Sequence, residues 1–288
     1  MPEFAVQSLL ETASVQIWNV CCQGSLRQQS EEESTTETQL VFPYRGVYVR
    51  HLGQDQAVAE ANQVLFFNAD ESYRISHPVA GGDSNLTLHL KEALLEELAP
   101  RALLRGTAGA SVGFRHQRLR IDARAQALVA ILRHSLGQGI AEPLEAESLA
   151  LTLAQRAMGP RTTHVAAAST GRQRLVDRVK LVLAGDLARR WTLADIAAEV
   201  RGSPVYLTQI FQQVEGVPLY RYQLRLRLAR ALDLLAQYDD LTTLSMDLGF
   251  SSHSHFSSAF REAYGRSPSE FRDSCAVSRV RVPLRANR

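Results

Sequence analysis

The sequence predicts an α+β protein of two domains, in which a strand-rich half precedes a wholly helical half. Three observations predict this fold class. Short β-branched and aromatic runs separated by polar breaks occupy residues 14–90. From residue 91 the apolar residues recur with a helical period. In the last third, one helical pattern occurs twice, and the 288 residues are enough for two separate cores.

The predicted strands are short and regularly interrupted. They are residues 15–20, 38–42, 46–50, 64–67 and 85–90. Polar breaks lie between them, and the acidic and hydroxyl-rich stretch 31–36 is a further polar loop. This spacing is expected of a small antiparallel barrel or sandwich.

Helices are predicted next, at 91–98, 123–136 and 144–157, and Pro143 suits the first turn of the last of these. A stretch bracketed by Gly and Pro, without an amphipathic period, predicts an interdomain linker. The predicted domains are therefore 1–158, a linker at 159–171, a helical domain at 172–273 and a basic tail at 274–288.

The duplicated pattern predicts two helix-turn-helix units joined by one helix, 218–236. Phe211 and Phe260 are 49 residues apart, whereas Ala197 and Ser245, before the turn, are 48 apart. The second turn is therefore one residue longer than the first. A tandem of this kind places two recognition helices on one side of a DNA duplex.

The outward-facing residues of the second helix in each unit are the candidate contacts to DNA bases. These residues are Val205, Tyr206, Thr208, Gln209, Gln212, His253, Ser254, Ser257 and Ser258. Glutamine can bond adenine bidentately, and threonine or valine methyl groups can touch thymine. His253 and His255 point to different sides of a helix, so we do not expect them to bind a metal.

Positive charge is concentrated in the duplicated half. The whole chain carries only +2, but residues 172–288 hold 18 Arg and Lys against 12 Asp and Glu, and residues 1–171 hold 14 against 18. Such an asymmetry favours contact with a polyanion. Arg221, Arg225, Arg227 and Arg230 are predicted to lie on the outside of the connecting helix. The candidate phosphate contacts are Ser203, Arg221, Arg225, Ser252, Arg261 and Arg266.

Cysteine usage and hydropathy indicate a reduced, cytoplasmic setting. The three cysteines include the adjacent pair Cys21 and Cys22, which suits no disulfide framework. Buried structural thiols are a commoner reason for such a pair than redox activity. The N-terminus lacks the features of a signal peptide, and no apolar run reaches the roughly 20 residues of a membrane span.

The tandem resembles the AraC/XylS family of bacterial transcription regulators. The family's signature is visible in GFSSHSHFSSAFR at 249–261, YG at 264–265, SP at 267–268 and FR at 271–272. The resemblance spans residues 173–273. It implies recognition helices at about 204–213 and 253–263 that enter successive major grooves.

The same resemblance implies an N-terminal cupin-like β-barrel that binds an effector, with helices that pair two subunits. The expected partners are double-stranded promoter DNA, RNA polymerase, a small-molecule effector and a second copy in a homodimer. An activator without a cofactor, a membrane contact or enzymatic activity is expected. Tyr48, Phe66 and Tyr73 could line the effector pocket, although aromatic residues in short strands also form plain core.

The chain departs from the family pattern at two places. Gln209 and Ser258 stand where family members often carry Arg, so we expect lower intrinsic affinity or more dependence on dimerisation and phosphate contacts. Met246 and Asp247 stand where small apolar residues are common, so the family pattern supports the packing of the second unit less well.

Two alternatives stay open: a cupin-type enzyme with an accessory helical domain, and a DNA-binding regulator controlled by a protein partner without a small ligand. No Gly-x-Ser-x-Gly, phosphate loop or dinucleotide fingerprint supports an enzyme. His51, His77 and His89 lack the paired His-x-His and following Glu of a cupin metal centre, so no metal site is expected.

Overall fold

A computed structural model describes residues 4–24, 27–105, 111–159 and 169–276. In these ranges the strands are β1 Phe4–Glu11, β2 Val15–Cys22, β3 Gln39–Gly46, β4 Tyr48–Leu52, β5 Asp55–Ala59, β6 Gln63–Phe67, β7 Arg74–Ser76, β8 Asp83–Leu90 and β9 Arg118–Arg120. The helices are α1 Glu92–Leu98, α2 Ala123–Gly137, α3 Pro143–Met158, α4 Thr170–Gly185, α5 Leu193–Glu199, α6 Pro204–Glu215, α7 Leu219–Leu234, α8 Leu241–Asp247, α9 His253–Tyr264 and α10 Pro268–Ala276.

The strands pair into two antiparallel sheets. One has the order β1-β2-β8-β3-β6-β9, and the other has the order β5-β4-β7. The chain passes from the large sheet to the small one at Gly46, whose φ is 70°. The hydrogen bonding among the described strands does not close into a ring. The α+β class is thus confirmed, whereas a closed, cupin-like barrel is not.

Four strands lie outside the predicted set. β1 precedes the first predicted strand, and its residues are mostly exposed because it forms the edge of the large sheet. β5, β7 and β9 have three to five residues each and lie between or after the stronger apolar runs. Strands this short show little periodicity, since too few residues alternate for a pattern to stand out.

Helices α1 to α3 cover one face of the large sheet. The core there joins Ile17, Leu40 and Leu88 of the sheet to Leu132 and Leu153 of the helices. Successive strand residues point to opposite faces, so the other face of the large sheet meets the small sheet. That second contact contains Val41, Tyr48, Ala59, Leu65 and Phe67.

The tandem has one apolar core for each unit, and α7 contributes to both. The core of the first unit surrounds Phe211, and that of the second contains Phe256 and Phe260. Met246 is 54% exposed and Asp247 is also exposed, so neither interrupts the second core. The departure from the family pattern at these two positions therefore leaves the second core intact, because both side chains point to solvent.

The two halves of the chain are packed against each other. Ala130 of α2 belongs to the apolar cluster of the second unit, and α4 lies against Val49 and Val58 of the small sheet through Leu181. Asp233 of α7 is almost fully buried. The arginines that bind its carboxylate come from both halves: Arg45, Arg133 and Arg230.

Most of the predicted linker, 160–168, and of the predicted tail, 277–288, lies outside the described residues. Among the helices that the structure does describe, none combines the length and the apolar character that a bilayer span requires. The predicted domain boundaries stay predictions.

Candidate nucleic-acid interface

The helices of the first unit begin and end at residues suited to helix capping. Thr192 and Asp195 form a capping box at the start of α5. Ser203 occupies the N-cap position of α6 with Pro204 in the first turn, but its hydroxyl makes no cap hydrogen bond. Gly216 ends α6 with a φ of 65°, a left-handed conformation that glycine adopts without steric cost.

The second unit repeats this scheme with different capping residues. The carboxylate of Asp240 accepts hydrogen bonds from the backbone N–H groups of Thr242 and Thr243, both 2.9 Å long. Ser252 caps α9 by accepting from the N–H of His255 at 3.1 Å. Four residues separate α5 from α6 and five separate α8 from α9, so the longer second turn is confirmed.

The outer face of α6 is neutral and open to solvent. Val205 is 68% exposed and Tyr206 is 46% exposed. Thr208, Gln209 and Gln212 are exposed as well. The Thr208 hydroxyl donates to the carbonyl oxygen of Pro204 at 3.0 Å. Its methyl group and its oxygen lone pairs are therefore what Thr208 presents outward.

The predicted base-contacting side chains on the outer face of α9 are three hydroxyl groups and one imidazole, and two of them are linked to each other. His253, Ser254 and Ser258 are exposed, and Ser257 is half-buried. The hydroxyl of Ser257 lies 3.3 Å from Nε2 of His253. All nine predicted base-contacting residues thus lie on the two outer faces or their margins, and base contact itself stays a prediction.

Arg227 and Arg230 do not lie on a free outer face of α7. The guanidinium of Arg227 donates to the carbonyl oxygens of Leu187 at 2.7 Å, Arg189 at 2.8 Å and Gly249 at 3.0 Å. Arg230 binds the carboxylate of Asp233. Their predicted placement is wrong because α7 runs between the two units and the β-rich half, which leaves it little exposed surface.

The candidate phosphate contacts separate into two groups. Arg221, Arg261 and Arg266 are exposed, as are Ser203 and Ser252. An exposed guanidinium near a groove is suited to a phosphate.

Arg225 differs from this group, because it is half-buried and burial lowers its pKa. The carboxylate of Asp122 acts in the opposite direction, and Asp122 belongs to the β-rich half. The prediction that Arg225 lies outside is therefore wrong for this arrangement of the halves.

A cavity of about 320 Å³ lies between the two sheets. Tyr48, Phe67 and Tyr73 form aromatic parts of its wall, and the rings of Phe67 and Tyr73 meet edge to face at 4.8 Å. The prediction that Phe66 lines this pocket is wrong. Its ring points to the opposite face of β6 and stacks on Phe114, with the ring centroids 3.9 Å apart, within the core. Tyr48 and Tyr73 remain candidates for contact with a ligand.

One end of the cavity brings together three groups that could hold a metal ion: Cys22, His77 and Asp83. One ligand atom from each lies within 4.8 Å of those of the other two. His51 and His89 lie elsewhere, since they bond the hydroxyl of Ser76 and the carbonyl of Thr38. The sequence reasoning missed this cluster because each histidine was weighed against the cupin pattern alone. The pairing of β2 with β8 is the signal that places Cys22 beside Asp83.

A buried polar network joins the tandem to the β-rich half. Burial raises the pKa of Glu60 to about 7, although the charge of Lys180 acts against this shift. The Glu215 carboxylate has the opposite balance: burial acts to raise its pKa, but Lys180 and Arg118 outweigh burial and lower it. Arg120 also donates to the carbonyl oxygen of Glu215. Charged groups from both halves therefore stabilise one another in this contact.

Comparison with known proteins gives a family match inside the tandem and relatives that share part of the chain. A profile of a helix-turn-helix domain family matches residues 196–274. The chain is 31% identical over 157 residues to the HTH-type transcriptional activator RhaR of Klebsiella pneumoniae, covering 52% of this chain and 54% of that protein. It is 33% identical over 100 residues to the HTH-type transcriptional regulator GadX of Escherichia coli, covering 34% and 36%.

A solved transcriptional regulator from Chromobacterium violaceum, described as containing an AraC-type DNA-binding domain, is 31% identical to this chain. The match covers 38% of this chain and 97% of that protein, with a TM-score of 0.35. The chain spans between a third and just over half of the length of the curated relatives named above.

Proposed function

Because the chain belongs to the AraC-type family of helix-turn-helix transcription regulators, we propose that it binds double-stranded promoter DNA through α6 and α9. The observation that carries the proposal is the pair of exposed outer faces at the same position in two similarly capped units. Two such helices suit two successive major grooves of a duplex.

The exposed side chains suggest that different residues provide the affinity for DNA and the choice of sequence. The outer faces of α6 and α9 present Thr208, Gln209 and Ser258, which are suited to base edges but carry no charge. Arg221, Arg261 and Arg266 are exposed and suited to phosphates. We infer that phosphates supply most of the affinity, and that the neutral faces supply the choice of sequence.

The cavity between the sheets supports control by a small-molecule effector. Its volume of about 320 Å³ is at the lower end of typical ligand pockets. A ligand there would contact strands that pack directly against α4 and α7, so it could change how the halves meet. In this proposal the β-rich half is a cupin-like sensory domain, and the chain acts as a homodimeric activator that contacts RNA polymerase.

A selection from a pool of randomised duplex DNA with the purified full chain tests the proposal. The expected result is an enriched motif whose two conserved segments lie about one helical turn, roughly 10 base pairs, apart. Binding of the selected duplex should fall steeply with salt concentration. Retention of DNA without any enriched motif, or no retention above background, would contradict the proposal.

A further inference from the structure

We propose that Cys22, His77 and Asp83 form a binding site for a divalent transition metal of the zinc class, at the end of the cavity between the sheets. The site goes beyond the proposed DNA binding and does not depend on it. The ligand atoms of the three residues lie within 4.8 Å of one another. Tetrahedral zinc with bonds of 2.0–2.3 Å separates its ligand atoms by about 3.3–3.6 Å, so small side-chain movements complete the geometry.

Strand pairing brings two of the three ligands together. Cys22 and Asp83 are directly opposite each other in the antiparallel ladder of β2 and β8. Opposed residues point to the same face with their Cβ atoms about 5 Å apart. His77 reaches the same place from the end of β7, and its Nε2 lies 2.7 Å from a carboxylate oxygen of Asp83.

Glycines allow the backbone to approach closely around the site. A Cβ at Gly82 would lie 2.1 Å from the carbonyl oxygen of Cys22, and one at Gly24 would lie 2.6 Å from Cα of Gly82. Both glycines have positive φ, at 67°. The loop between His77 and Asp83 is thus packed directly on the end of β2, which positions the three ligands before any metal binds.

Surrounding groups support ligation. Asn85 donates a 2.6 Å hydrogen bond to the second oxygen of Asp83, an outer contact of the kind that orients a ligating carboxylate. The backbone N–H of Gly24 donates to the sulfur of Cys22 at 3.4 Å, which helps to fix the position of that sulfur. Nδ1 of His77 and Oδ1 of Asn85 are buried without a hydrogen-bond partner among the described residues.

The donor set and the charge balance point to the metal class. A thiolate and an imidazole favour zinc over magnesium or calcium, which prefer sets made only of oxygen ligands. One thiolate, one carboxylate and a neutral imidazole around a divalent ion give a site without net charge, which suits the burial of His77 and Asp83. Three protein ligands leave a fourth position, and the cavity lies on that side.

Titration of the metal-stripped full chain with Co²⁺ tests this site, with a non-thiol reductant present and no DNA. The expected result is saturation at one equivalent, with a thiolate-to-cobalt charge-transfer band that Zn²⁺ abolishes by displacement. Cys22→Ser should abolish that band and weaken binding at least tenfold. Cys21→Ser is the matched control, because Cys21 lies on the opposite face of β2, beside Asn19 and Tyr44, and should keep the band.

Two further variants, Asp83→Asn and Asn85→Ala, test the site while Cys21 and Cys22 stay in place. Loss of the carboxylate charge should weaken Co²⁺ binding at least tenfold, and loss of its Asn85 contact should weaken it about 10- to 100-fold. The proposal is overturned if the parent chain shows no charge-transfer band, or if Cys22→Ser keeps the band. Equal loss of the band in Cys21→Ser also overturns it. None of these results bears on DNA binding.

Discussion

The hydroxyl of Tyr222 donates a 2.6 Å hydrogen bond to the buried carboxylate of Glu60, which ties α7 to the end of β5. The other oxygen of Glu60 accepts from the backbone N–H of Asn62 at 2.7 Å. Burial, with the charge of Glu60 acting in the same direction, raises the pKa of Tyr222 well above its usual value, so its hydroxyl remains a donor. A single carboxyl group thus joins the helix shared by both units to the β-rich half.

We expect this carboxyl group to make stability depend on pH. Its pKa is about 7 in the folded chain, against 4.5 for an ordinary Glu. The folded state holds the proton more tightly, so this contribution is fully present below pH 4.5 and is lost as the pH rises through 7. Glu60→Gln keeps an acceptor for Tyr222 and removes the titration.

Urea unfolding between about pH 4.5 and 7 measures the effect. The free energy of unfolding should fall with rising pH in the parent chain, and this slope should flatten in Glu60→Gln. Tyr222→Phe leaves the carboxyl group in place and should keep a slope. An identical slope in the parent and Glu60→Gln would contradict the assignment.

Asp233→Asn should destabilise the contact between the halves. The carboxylate is 1% exposed and binds Arg45, Arg133 and Arg230, so the change leaves three guanidinium groups without their counter-charge. Because these arginines are partly exposed, we expect a loss of about 3 kcal/mol, at the lower end for a buried ion pair.

The exposed Asp273, whose carboxylate lies 3.9 Å from the half-buried Arg272, provides a control for this change. Asp273→Asn should alter the free energy of unfolding by less than about 0.5 kcal/mol. Equal effects of the two variants in urea unfolding would show that burial of Asp233 does not stabilise the contact.

Gly249→Ala should disrupt the turn of the second unit more than Gly265→Ala disrupts the end of α9. Both glycines have positive φ, at 79° and 76°, so strain of about 1 kcal/mol is common to both changes. A Cβ at Gly249 would also lie 2.1 Å from the carbonyl oxygen of Ala188, whereas nothing lies within 4 Å of one at Gly265. We expect a total loss of roughly 3 kcal/mol at Gly249. Thermal unfolding of the two variants in parallel provides the comparison, and a larger loss at Gly265 would refute it.

Arg227→Ala and Arg221→Ala should affect different properties. Arg227 bridges carbonyl oxygens of the loop before α5 and of the turn before α9, so its loss should lower the free energy of unfolding by about 2 kcal/mol. Arg221 is exposed, so its loss should leave stability nearly unchanged and reduce the salt dependence of DNA binding by about one unit of slope. An unchanged slope would remove Arg221 from the phosphate contacts.

Gln209→Ala should change which bases are preferred at one position of the selected motif, since the side chain is exposed on the outer face of α6. The loss at the preferred base should be about 1–3 kcal/mol. Binding to a set of duplexes that differ at single positions measures it. A uniform loss of affinity across all duplexes would place Gln209 among the residues that contact only the DNA backbone.

Much of the tandem could be predicted because its information is local. The capping box of Thr192 and Asp195, the glycines that end α6 and α9, and the longer second turn each depend on residues a few positions apart. β1 could not be predicted in the same way. Its side chains are mostly exposed, and its strand conformation depends on pairing with β2 rather than on its own pattern.

By itself the sequence determined the α+β class, the placement of a strand-rich half ahead of the tandem and the two outer faces of the tandem, because helix periodicity and capping act within one element. Tertiary structure alone decided that Arg225 and Arg230 are engaged where the halves meet, and that Arg227 joins the two units of the tandem. It alone brings Cys22 together with His77 and Asp83. Those contacts depend on sheet register and on the packing of elements far apart in the chain, which no local pattern specifies.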